Sequence, residues 1–99
     1  MQSAVVNNFE GLELLLRRKN FFNLFELEQI GVFGSFVRGE SYNDIDFLLD
    51  EKMDYSKRMR LKKFLEKELQ TDVDIIIRPF AEPIILHRAL KDIKYAKAK

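Results

Sequence analysis

The stretch GSFVRGESYNDIDFLLD, residues 34–50, joins a glycine–serine pair and an arginine to two aspartates separated by a single isoleucine. From Asp44 onward it reads as a β-strand, with Ile45, Phe47, Leu48 and Leu49 as its apolar positions. Side chains alternate across a strand, so Asp44 and Asp46 share one face while Ile45 and Phe47 share the other. That spacing sets the two acidic residues roughly 7 Å apart along the backbone. At an effective dielectric near 20, two charges at that distance repel by about 2 kcal/mol. A domain with ~5–15 kcal/mol of net stability feels such a cost. A divalent cation between the carboxylates turns the repulsion into coordination.

Working outward, DVDIIIR at residues 72–78 repeats the pattern and predicts a further strand, stopped by Pro79. Asp72 and Asp74 share a face there too, so a neighbouring strand can bring a third carboxylate to the first pair. Asp74 is favoured over Asp72, because it directly precedes the apolar run as Asp46 does; Asp72 is read as solvent-facing. A set of three carboxylates suits a hard ion such as Mg²⁺ rather than Zn²⁺. Upstream, Ile30 to Phe33 predicts a short strand ending in Gly34. A tight turn from Gly34 into Ser35 can aim backbone N–H groups and a hydroxyl at an anion, and Arg38 can add a charged donor. Phosphate-holding donors beside a carboxylate-bound metal point to phosphoryl chemistry on a nucleotide. The Walker loop and the G-x-G-x-x-G fingerprint are both absent.

The rest of the chain frames these motifs. Val5, Phe9, Leu12, Leu15 and Leu16 recur at helical spacing and predict an amphipathic helix from Ser3 to Lys19. Residues 20–29 are apolar but aperiodic, and a short helix or turn beneath the sheet is expected, with Phe21, Phe22 and Phe25 in the core. Asp54 is a suitable N-cap for a helix to about Gln70, whose inward stripe is Leu61, Phe64, Leu65 and Leu69. Its lysines and arginines read as a solvated face rather than an RNA contact. Pro83 opens a last helix with Ile85, Leu86, Ala89, Leu90 and Ile93 facing inward, and the Lys-rich end is expected to fray. His87 is read as a surface or packing residue.

This order predicts one domain over residues 1–99, an α/β (α+β) fold with a small mixed sheet and helices mainly on one face. The 99 residues contain no cysteine and one histidine, which excludes a disulfide framework and argues against a zinc centre or a Ser-His-Asp triad. A net charge of +1 gives no bulk case for nucleic acid. Without a leader or a long apolar run, the cytoplasm is expected and a membrane location is not.

GVFGSFVRGESYNDIDFLLD followed by VDIII resembles the minimal nucleotidyltransferases of the DNA polymerase β superfamily, over about Leu12 to Tyr95. Their pattern is a glycine–serine pair, an Arg-Gly, an Asp-x-Asp strand and a third Asp on a later strand. The resemblance implies a polymerase β palm-like fold and Mg²⁺-dependent transfer of a nucleoside monophosphate, AMP from ATP, to an acceptor hydroxyl with release of pyrophosphate. By the same resemblance Gly34, Ser35 and Arg38 bind the nucleotide. Asp44, Asp46 and Asp74 are the catalytic and metal-ligating residues, around two Mg²⁺ ions, and Asp74 helps to deprotonate the acceptor. Eight residues, Phe36 to Asn43, separate Ser35 from Asp44 where the family commonly has ten, and Asn43 replaces a more usual serine. That departure bears on the placement of Arg38 and Glu40.

Small members of this kind act as antitoxins that adenylylate a HEPN-domain partner encoded beside them, so a HEPN partner is the expectation here. So small a core also makes a homodimer an expectation. Two other functions compete: a non-catalytic nucleotide-binding module that neutralises a partner by covering it, and an enzyme that modifies a small molecule. Three clustered acids favour an enzyme, because binding alone does not need them.

Overall fold

A computed structural model describes residues 5–99. The elements are α1 (Phe9–Arg18), α2 (Phe21–Leu24), β1 (Gln29–Phe33), β2 (Asp44–Leu49), α3 (Tyr55–Leu69), β3 (Asp72–Ile77), a 3-10 turn (Arg78–Phe80), α4 (Pro83–Asp92) and β4 (Lys94–Lys97). Local chemistry sets their ends. α1 begins where the Asn8 side chain accepts the Gly11 N–H at 2.8 Å, so the helix expected from Ser3 starts only at Phe9. Val5 is exposed, and Ser3 lies outside the described residues. α3 starts at Asp54, which accepts the Lys57 N–H at 2.8 Å, and stops at Gln70 in the left-handed conformation.

The sheet is mixed and ordered β3–β2–β1–β4. β1 pairs antiparallel with β2 and β4, while β2 and β3 run parallel, joined through α3. Alternation divides the sheet chemically. One face presents Ile30, Val32, Ile45, Phe47, Val73 and Ala96, against which α1, α2 and α3 pack. Phe21 centres this layer, its ring 5.2 Å from Phe22, 5.3 Å from Phe25 and 5.7 Å from Phe64. Each fully buried Leu, Ile or Phe here stabilises the fold by roughly 1.5–3 kcal/mol.

Among the described residues, the other face carries α4 alone. Leu48, Phe33 and Ala89 are buried there, with Ile76, Leu86 and Ile93 packed around them. Gly31 permits this approach, since a Cβ at that position would stand 2.6 Å from Ile93 Cδ1. α4 therefore covers the middle of its face, while Asp44 and Asp46 at one end stay half-buried and Asp74 exposed. Among the described residues, no helix is long and apolar enough to cross a membrane.

Two further expectations are corrected. The Lys-rich end does not fray: β4 pairs with β1 from Gln29↔Lys97 to Val32↔Lys94, and Ala96 is fully buried. α1 fastens it, because Glu13 accepts the Lys97 N–H at 2.9 Å and Arg17 Nε donates to the Lys97 carbonyl at 2.8 Å. The inward stripe of α4 is also narrower than expected. Ile85 and Leu90 are 44% and 42% exposed, because the helix crosses only the small patch offered by Phe33 and Leu48.

Candidate active site

β2 and β3 run parallel and in step, with Asp44 opposite Asp72 and Asp46 opposite Asp74. All four acids then project on the face that α4 only partly covers. Of these, Asp44, Asp46 and Asp74 each bring a carboxylate oxygen within 4.8 Å of the others. Asp72 is exposed and stands outside the group. Three oxygen donors at this separation fit a hard divalent cation such as Mg²⁺, which prefers carboxylates and water. Without a counter-charge the cluster is electrostatically costly, and the proton affinities show it. Asp46 is pushed up to about 6, first by burial and then by the charges of Asp44, Asp74 and Asp92, against the opposing pull of Arg38. Asp44 is also raised, by burial first and then by the charge of Asp74 and a hydrogen bond to it.

Gly34 ends β1 and stands beside Asp46. Its φ is 87°, and an added Cβ would run into Asp46 Oδ2. Only glycine allows this backbone shape and this contact together. From Gly34 the chain turns once in helical fashion: the Arg38 N–H donates to the Gly34 carbonyl at 3.2 Å, and the Glu40 N–H to the Ser35 carbonyl at 3.0 Å. Phe36 is buried and meets Tyr42 edge-on at 5.1 Å, which anchors the turn to the core. The eight-residue spacer is thus a packed turn that delivers Ser35, half-exposed, next to β2.

Arg38 is engaged within the protein. Its Nε and Nη2 each donate to Glu40 at 3.1 Å, and its Nη1 donates to Asp92 at 2.6 Å. Both partners raise the guanidinium's proton affinity, Glu40 the more. Asp92 also accepts the Gly34 N–H, at 3.3 Å. Nothing in the local sequence marks Asp92 for a role. It lies 58 residues from Gly34, and only the packing of α4 on the sheet brings the two together.

A second polar group sits elsewhere: Asp50 accepts from Arg78 Nε at 3.0 Å and from the Tyr95 hydroxyl at 3.1 Å, tying the sheet's strands together past the other end of β2. A depression bounded by Glu28, Asp50, Glu51 and Asp54 lies at that end as well, away from the three aspartates. In the aspartate cluster Asp44 and Asp46 are half-buried and Asp74 is exposed, so the carboxylates are open to solvent on one side.

A family model described as "Polymerase beta, Nucleotidyltransferase" matches residues 18–95. Protein adenylyltransferase MntA of Thermococcus cleftensis is 33% identical over 86 residues, spanning 83% of this chain and 87% of that protein. Among solved structures, a chain of the toxin–antitoxin pair MntA–HpeT, in a mutant form, superposes with a TM-score of 0.64 at 26% identity, over 91% of this chain and 72% of that one. A chain from the complex of tri-AMPylated Shewanella oneidensis HEPN toxin with MNT antitoxin superposes with a TM-score of 0.59 at 25% identity, over 88% and 73%.

Proposed function

The chain belongs to the polymerase beta nucleotidyltransferase family and is a nucleotidyltransferase, and from that premise we propose that it transfers AMP from ATP to a hydroxyl on a partner protein. The single observation that carries this reading is the convergence of Asp44, Asp46 and Asp74 within 4.8 Å beside the Gly34–Ser35 turn. The acceptor is a HEPN-domain protein, in line with the HEPN toxin found AMPylated in complex with the MNT antitoxin of Shewanella oneidensis. The carboxylates are open to solvent on one side, and a protein acceptor closes that side.

In this mechanism Ser35 and the Gly34 backbone hold the phosphate tail at the end of β1, with Arg38 adding a cationic donor once freed from its present partners. Asp44, Asp46 and Asp74 hold Mg²⁺, which when bound neutralises the tail's charge and the carboxylates' mutual repulsion. Asp74, the most exposed of the three, accepts the proton of the attacking hydroxyl. The hydroxyl oxygen bonds to the α-phosphorus, the bond from that phosphorus to the bridging oxygen breaks, and pyrophosphate leaves.

The test combines the chain, ATP, Mg²⁺ and the HEPN-domain protein encoded beside it, followed by intact mass measurement of both proteins. One or more adenylate additions to the partner are expected. Asp44→Ala and Asp46→Ala should each slow transfer at least ~100-fold, a barrier increase of about 2.7 kcal/mol. If the partner is inhibited equally well by both variants and gains no mass, the protein acts by covering it and the catalytic reading is wrong.

A further inference from the structure

Of the donors that the proposed function assigns to the nucleotide's phosphate tail, the Gly34 N–H and Arg38 are both already taken by one carboxylate. Asp92 Oδ1 accepts the Gly34 N–H at 3.3 Å, and Asp92 Oδ2 accepts Arg38 Nη1 at 2.6 Å. One anionic group spanning a backbone N–H and a guanidinium N–H is how two oxygens of a phosphate would engage the same pair. The position of Asp92 has no local rationale. It is the last residue of α4, where the negative end of the helix dipole disfavours an acid. Its side chain is 20% exposed, so it is held in place rather than left free in solvent.

We propose that Asp92 is a built-in competitor of the triphosphate, which must give up the Gly34 N–H and Arg38 before a nucleotide's phosphates can take them. This inference rests on the assignment of Gly34 and Arg38 to the nucleotide made above. A polyphosphate and the Asp92 carboxylate are both anions, so they exclude each other from one pair of donors. These two donors are then occupied by the protein's own side chain until ATP enters. Arg38 is meanwhile held at the site's edge by Glu40, which grips two of its other N–H groups. The same competition falls unequally on nucleotides. A ligand whose phosphate chain reaches Gly34 and Arg38 must displace Asp92 and loses affinity by it, whereas AMP, too short to reach both, does not.

The test is calorimetric titration of the chain with ATP and with AMP, each with Mg²⁺, for wild type, Asp92→Asn and Asp92→Ala. Asn keeps an oxygen for the Gly34 N–H and removes the charge, whereas Ala removes both. Both variants should bind ATP roughly 10-fold more tightly than wild type, with AMP affinity changed less than twofold. ATP bound by wild type, but no more tightly by either variant, overturns the competitor role while leaving the nucleotide site standing. ATP bound by none of the three proteins overturns both that role and the proposed function. If the variants do not fold, the wild type decides: the Asp92 carboxyl ¹³C resonance should shift on saturation with ATP and Mg²⁺ and not with AMP. An unmoved resonance in saturated protein overturns the inference.

Discussion

At Gly34 the backbone φ of 87° and the Asp46 carboxylate crowding the missing Cβ make two separate demands on one residue. A left-handed conformation costs an ordinary L-residue roughly 1–2 kcal/mol, and the collision adds to it by pushing Asp46 off its position. Gly34→Ala should therefore lower stability by at least ~1 kcal/mol in urea denaturation, and it should disturb Asp46, which Gly31→Ala on the same strand would leave alone. Gly34 and the acids could be assigned from sequence because glycine–serine after a strand and Asp-x-Asp within one are local patterns. Asp92 could not, since a lone acid at the end of a helix has no pattern. Its partners Gly34 and Arg38 lie 58 and 54 residues away.

β2 was readable to its ends, Asp44–Leu49, because polar–apolar alternation with β-branched and aromatic residues is the strongest short-range strand signal. β3 followed from the same alternation, and its parallel register sets Asp74 beside Asp46. β4 was not readable. Four residues, two of them lysine, carry too little apolar content to register, and its only buried side chain is that of Ala96. What makes it a strand is the free edge of β1 and the two α1 side chains, Glu13 and Arg17, that grip Lys97. A frayed end would accept Ala96→Asp within about 0.5 kcal/mol. Placing an unpaired carboxylate in the core beside Ile30 should instead cost at least ~2 kcal/mol, measured by chemical denaturation.

For the whole molecule the raised proton affinity of Asp46 fixes a direction of pH dependence. Its native value of about 6 lies above the ordinary 3.8. Between those two values the native chain holds a proton that the unfolded chain has lost, so stability falls as pH rises from about 4 to about 6 and levels off beyond. Asp44 is shifted the same way and adds to the trend. Asp46 is only half-buried, so solvent screening limits its share to on the order of 1 kcal/mol. In cation-free buffer the melting temperature of wild type should drop across this window, and Asp46→Asn should flatten the drop. Mg²⁺ should recover the lost stability above pH 6 and lose its effect below, where protons compete for the same oxygens.

The position of β3 on the outside of the sheet has one more consequence. A bare outer strand invites another copy of itself to join, which is how sheets grow into fibres. β4, at the opposite margin, is held to α1 through Lys97, whereas among the described residues β3 has the Glu66 carboxylate on the Val73 N–H at 3.4 Å. What guards this margin is charge: Asp72 and Asp74 stand exposed along it, and like copies repel there. Asp74, one of the acids proposed to run the chemistry, thus also stands along the bare margin. That guard weakens wherever a cation or a cationic partner neutralises them, so the margin is safest to expose when the site is empty and is best covered by the partner when it is filled.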